Sequence, residues 1–214
     1  MNTERTEKLT TALENLYQDR SKELLYHGWH HIYFVTKKAL VFSEGLNINI
    51  ELLEAAALTH DLNYLVEPNS EPEVGATLRG EQLQQSGFAQ SEIEEIENII
   101  SEAHTRTRHA GISDASKALS DADTLYKSLP TTPVIFAGNY LIQNKVEIGP
   151  LANKIAHEQR PLMDQGIYFY TDVAKKRYLH WAETNLALWE NVAEAADDPD
   201  IKETIAIARK LGVI

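Results

Sequence analysis

The sequence predicts an all-α protein, and three observations carry that expectation. Apolar residues recur at three- and four-residue spacing along nearly the whole chain, β-branched alternation is scarce, and the Asn-Gly and Asp-Gly pairs that close hairpins are few. Capping and stop residues divide this helical pattern into segments of ordinary length.

Taken in order, a first helix is expected over 3–17 and a second over 21–42, with Gly45 behind it as a stop. Asn49 offers a side-chain acceptor to free backbone N–H groups and can cap a third helix running through Thr59. The polar stretch NYLVEPNSEPEVG, 63–75, carries two prolines and reads as a loop. Helices follow over 74–85 and 91–104, punctuated by Gly87 and Gly111. Ser113 or Asp114 can cap a helix through Ser128, which Pro130 and Pro133 end by removing donors and disfavouring helix just before them. Further helices are expected over 134–144, 151–164, 171–195 and 199–211, with Pro199 suited to a first turn. A length of 214 residues without a repeat or linker is read as one helical domain, 1–214, and the segment around Pro130 is its only plausible division.

Composition narrows the chemistry. The chain has no cysteine, so disulfides, zinc-thiolate sites and cysteine nucleophiles are excluded, and any metal must be held by His, Asp or Glu. With 32 acidic against 20 basic residues the formal charge is −12, which repels phosphate backbones and argues against long nucleic acid as a partner. The start MNTERTEKL lacks the apolar core of a signal peptide, and no run approaches the roughly 18 apolar residues of a membrane span, so a cytoplasmic protein without a membrane partner is expected. There is no Walker loop and no dinucleotide glycine fingerprint, and HEQRP at 157–161 is not the zinc-protease pattern. His157 and His180 therefore read as structural or surface residues. In YLHWAETNLALW, 178–189, Trp181, Leu188 and Trp189 fall at helical spacing and suit core packing or a homodimer face.

Four segments concentrate groups able to do chemistry: YHGWHHIYFV (26–35), ALTHDL (57–62), SEAHTRTRH (101–109) and ALSDADTLYKSL (118–129). They supply, in order, His31, His60-Asp61, His104, and Asp121 or Asp123, a mixture of imidazole and carboxylate suited to a divalent ion. The pair His60-Asp61 alone says little, since a core histidine beside a solvated helix-end aspartate explains it. His27 and His31, four residues apart, share one helix face, whereas His30 points about 100° away. His60 and Asp61 also diverge by about 100°, so both reach one ion only if it sits between them at the helix end.

This order resembles the HD superfamily of metal-dependent phosphohydrolases, in which a histidine on one helix, a His-Asp pair on another and a later aspartate bind the metal. The resemblance covers about 20–130: HGWHHIYFV is similar to the family's opening segment and DADTLY to its closing helix. It implies an HD-domain helical bundle with additional C-terminal helices. It implies also a divalent metal, manganese, iron, cobalt or nickel with magnesium able to substitute, held by His31, His60, Asp61 and Asp123. The reaction implied is hydrolysis of a small phosphate ester or nucleotide by a metal-activated water, with Asp61 accepting or orienting that water's proton. His104 resembles a later family histidine, which implies an acid, a phosphate donor or an auxiliary ligand. Asp121 reads as a neighbouring acceptor or an exposed residue, and His27 as a second ligand, an outer-sphere partner or a surface residue.

A phosphate needs cations outside the metal's own ligands, and Arg106 and Arg108 are the candidates, a solvated loop being the plainer reading of HTRTRH. Lys127 and Glu102 are weaker candidates, because a solvated lysine in a last helical turn and a surface glutamate are common. The chain departs from the family where LNY follows His60-Asp61, a place where a glycine often comes one residue later. Only His104 and His109 lie between that pair and the final aspartate, so one metal is expected. A di-iron HD oxygenase and a noncatalytic ligand-binding or regulatory protein are the other readings.

Overall fold

Leu9, Leu13 and Tyr17 recur every four residues and become the buried stripe of the first helix, α1 (Glu4–Asp19). The computed structural model describes residues 4–213, so Thr3, the expected start of this helix, lies outside the described residues. All regular elements among the described residues are helical.

The second helix, α2 (Trp29–Phe42), begins well after the expected residue 21. The backbone N–H groups of Tyr26 and His27 donate to Gln143 Oε1, at 2.7 and 3.2 Å, and Gly28 caps the helix in an extended conformation. A Cβ at Gly28 would meet the Leu24 carbonyl oxygen at 2.5 Å, so the approach to the helix is closed to any side chain there. Asn49 caps α3 (Ile50–Thr59), its Oδ1 accepting from the N–H groups of Glu51 and Leu52 at 3.1 and 3.3 Å. Every residue of α3 from Leu52 to Thr59 is buried, with Ala55, Ala56 and Ala57 allowing close approach by its neighbours.

The expected loop over 63–75 contains a short helix, α4 (Asn63–Val66), and a 3-10 turn (Pro72–Gly75). Asn63 Nδ2 donates to the Ser70 carbonyl at 2.8 Å and pins the intervening segment. Gly75 packs so tightly on α4 that a Cβ would lie 2.5 Å from the Asn63 nitrogen. Next come α5 (Ala76–Ser86), stopped by left-handed Gly87 at φ 97°, and α6 (Gln90–Ala103), which buries Ile93, Ile96, Ile100 and Ala103. The buried Arg79 on α5 forms a two-pronged ion pair with Glu97 on α6, at 2.6 and 2.5 Å.

Ser113 caps α7 (Asp114–Ser128). The single helix expected over 134–144 is divided into a π turn (Thr132–Phe136) and α8 (Ala137–Asn144), with Pro133 in the turn and the Thr132 hydroxyl held 2.6 Å from the Tyr126 carbonyl. The chain ends in α9 (Ile148–Asp164), α10 (Asp172–Asp197) and α11 (Pro199–Lys210).

At the centre, α2 packs against α3 and α7, and α6 closes the group by packing on the same two helices. The main core joins these to α1, to Tyr168 and Phe169 before α10, and to Tyr178 and Ala182 within it. A smaller cluster of Ala137, Leu151, Ala152 and Trp189 binds α8, α9 and α10 together. Trp181 packs against the main core and Trp189 is buried in the smaller one, whereas Leu188 is exposed. Among the described residues no helix is long and apolar enough to cross a membrane.

Candidate metal centre

The C-terminal end of α3 delivers His60 and Asp61 to the face of α2 that carries His31. His60 Nδ1 lies 2.8 Å from the Ala57 carbonyl, which can only accept, so Nδ1 carries the proton and Nε2 keeps its lone pair. That Nε2 stands 3.2 Å from His31 Nε2 and 3.3 Å from Asp61 Oδ2, and His31 Nε2 stands 3.0 Å from the same oxygen. Three donor atoms thus form a triangle with sides of 3.0 to 3.3 Å. Donors held at the usual 2.0–2.2 Å from one ion lie about 3 Å apart when their bonds are near right angles, so the triangle fits a divalent transition metal.

Asp123 comes to this group from α7, its Oδ1 3.6 Å from His31 Nε2. Its other oxygen accepts from Lys127 Nζ at 2.6 Å. Asp121, two residues earlier, points elsewhere: its carboxylate accepts from the backbone N–H groups of Tyr170 and Thr171, both at 2.7 Å, and burial pushes its pKa up to about 6. Among the described residues neither His104 nor His109 belongs to a cluster of three or more metal-binding side chains, and His109 is exposed.

Charge balance around the triangle is tight. Burial opposes the charge of Asp61, but His60 and His31 hold it well below the usual carboxylate range. Burial likewise opposes the charge on Asp123, and Lys127 and His31 draw its pKa down. For Lys127 burial pulls in the other direction, and Asp123 outweighs it to raise the ammonium's pKa. Burial lowers His104, with the Lys127 charge acting in the same direction.

His27 is buried and does not join the triangle. Gln143 Nε2 lies 2.6 Å from its Nδ1, while Gln143 Oε1 takes the two backbone N–H groups already described, so the amide orientation makes Nδ1 the acceptor. Its ring stacks on Tyr64 with centroids 3.6 Å apart, and burial lowers its pKa to about 3. His30 stacks instead on Phe136, with centroids 5.4 Å apart.

A pocket opens beside the triangle, lined by His60, Asp61, Asp123, Lys127, His104 and Arg106 at its polar end. Tyr26, Tyr64, Tyr140, Leu151, Ile155 and Trp189 give it an aromatic and aliphatic side. Lys154 and Glu158 reach the same pocket from α9. The histidine-flanked Glu158 belongs to a segment that sequence reasoning set aside, and only the packing of α9 and α10 brings it here.

The two arginines expected to face a phosphate both line the pocket, and each is held by different partners. Arg106 is exposed and ion-paired with Glu71, whose other oxygen lies 4.0 Å from His104 Nε2. Arg108 is buried and donates to Thr124 Oγ1 at 2.8 Å and to the carbonyls of Ile167 and Tyr168 at 2.5 and 2.7 Å. It fastens the segment before α10 onto α7 and also lines the pocket. Glu102 accepts from Ser113 N and Ser116 Oγ at 2.9 and 2.7 Å and joins α6 to α7 outside the triangle. Lys127, a weaker candidate on sequence, is the cation that bonds Asp123 beside the triangle.

Residues 28–127 of this chain match the HD domain family, and the histidine, the His-Asp pair and the later aspartate brought together in this all-α bundle all fall within that match. The crystal structure of Bacillus subtilis YpgQ has the same fold, with a TM-score of 0.58 at 19% identity, covering 92% of this chain and 98% of that one. Comparison with curated proteins gives no match.

Proposed function

We propose that this protein is a metal-dependent phosphohydrolase acting on a small phosphate ester or nucleotide. The observation that carries the reading is the 3.0 to 3.3 Å triangle of His31, His60 and Asp61 beside a pocket that Lys127, Arg106 and His104 line together with tyrosines and Trp189. A divalent ion held by His31, His60, Asp61 and Asp123, of manganese, iron, cobalt or nickel with magnesium as a substitute, would supply Lewis acidity toward water and a phosphoryl oxygen. The Asp61 carboxylate, at the pocket's edge, orients the attacking water and can take its proton. His104, held largely neutral by burial and by Lys127, offers a ring nitrogen to a phosphoryl or leaving oxygen. Arg106 adds a cation at the mouth if a substrate oxygen displaces Glu71. The tyrosines and Trp189 accept the apolar or aromatic part of the ester.

The test is a screen of phosphate esters and nucleotides with purified, metal-loaded protein and an Asp61→Ala control. Release of phosphate or a phosphorylated fragment is expected, lost on chelation and in the control. Oxygen consumption on a substrate without phosphate would favour the oxygenase reading, and cleavage confined to long nucleic acid would overturn the substrate class.

A further inference from the structure

Lys127 sits on the seam between the triangle and the pocket. It lies one helical turn beyond Asp123 on α7, and Asp123 turns one oxygen toward His31, at 3.6 Å, and the other toward Lys127 Nζ, at 2.6 Å. An ammonium has three N–H donors. Among the described residues Nζ makes no hydrogen bond other than that to Asp123, and its side chain, about one-third exposed at 34%, lines the pocket beside His104 and Glu158. The other cations near the triangle are differently placed. Arg108 spends its terminal nitrogens on Thr124, Ile167 and Tyr168, and Arg106 is engaged by Glu71.

We propose that Lys127 anchors an anionic oxygen of the substrate, a phosphoryl oxygen on the function proposed above, against the triangle, with Asp123 holding the ammonium in place. The inference rests on that phosphate reading. A lysine suits the task because it is a compact point charge with several donors: one bond fixes its position and the others remain for the ligand. The contrasting role is purely structural, in which Lys127 only steadies Asp123 for the metal. The two differ in sign. A cation 2.6 Å from a metal-binding carboxylate repels a divalent ion, so removing an anion anchor leaves metal affinity unchanged or higher. Removing a mere support for Asp123 lowers it.

Wild type, Lys127→Met and Lys127→Arg are each loaded with one equivalent of manganese, freed of excess and titrated calorimetrically with inorganic phosphate. Metal affinity is measured separately by competition with a chelator, and thermal melts confirm that each variant is folded. The methionine variant should bind phosphate on the order of ten- to a hundredfold more weakly, as expected for loss of a hydrogen bond to a charged group, with metal affinity equal or raised. The arginine variant should recover much of the loss. Equal phosphate affinity in wild type and Lys127→Met overturns the role of Lys127 and leaves the phosphate reading standing; weaker metal binding with phosphate affinity unchanged does the same. Failure of the wild type itself to bind phosphate brings down both.

Discussion

Each corner of the triangle is a single side chain, so alanine at His31, His60 or Asp61 should weaken metal binding by more than the roughly 10- to 100-fold typical of losing an outer-sphere partner. Metal analysis and chelator competition on purified variants would measure it. Asp123→Ala should weaken binding too, whereas Asp121→Ala should leave it unchanged and instead cost about 1–3 kcal/mol of stability, because Tyr170 and Thr171 lose the acceptor for their backbone N–H groups. The order of His31, His60-Asp61 and Asp123 was legible in the sequence. Lys127 was legible only as a weaker candidate, although its spacing from Asp123 was plain, because a last-turn lysine faces water unless another element covers it, and here the pocket includes residues of α9 far along the chain. His27 supplies a pH prediction. Its pKa is about 3 in the folded protein because burial disfavours the cation, against about 6.5 when unfolded. Between those values the unfolded chain binds the extra proton, so stability is fully present above about pH 6.5 and falls by up to about 1.4 kcal/mol per unit as pH drops toward 3. Denaturant titrations of wild type and His27→Gln across pH 4 to 7 should show a shallower acid loss in the variant. Equal slopes would mean that His27 is charged in the fold.

Among the elements, those fixed by nearby residues were readable and those fixed from a distance were not. Asn49 caps α3, Gly87 stops α5 and the isoleucines of α6 point inward, all through local geometry. The late start of α2 depends on Gln143, more than 110 residues away, and no pattern around residue 21 could announce it. The same holds for Arg108, whose partners at 167 and 168 lie on a segment delivered by the C-terminal helices. Replacing it with Met should cost about 2–4 kcal/mol in denaturant unfolding, since two backbone carbonyls and Thr124 lose a charged donor, with little change in metal affinity. Gly75 controls how the 3-10 turn seats on α4, just after the His-Asp pair. A Cβ there would lie 2.5 Å from backbone nitrogen, so Gly75→Ala must push the turn off Asn63. The variant should lose about 1–3 kcal/mol of stability and weaken metal binding through the displaced end of α3. Unchanged melting and metal affinity would show that α4 and its turn move independently of the site.

At the scale of the molecule, the helical class and the acidic balance could be read from composition and spacing, but the pocket could not, because its walls come from α8, α9 and α10 as well as from the residues that carry the family pattern. That contrast between a global charge of −12 and a pocket whose lining balances its carboxylates with Arg106, Arg108, Lys127 and Lys154 has a kinetic consequence. An anionic substrate far from the protein meets net repulsion, while one inside the pocket meets a lining that includes Lys127, Arg106 and Lys154. Salt does not screen the two equally: the Debye length is about 30 Å at 0.01 M ionic strength and about 8 Å at 0.15 M, so the long-range repulsion is removed first. For a phosphate ester that the protein hydrolyses, kcat/KM should therefore rise as ionic strength increases from about 0.01 to 0.15 M, and level off or fall only beyond that range. An inert salt series at fixed pH and fixed metal loading would measure it, with a neutral analogue or a saturating-substrate kcat as the control for effects on chemistry. A monotonic fall from the lowest salt would mean that the pocket's cations dominate even at long range, and that the acidic surface lies away from the path by which substrate enters.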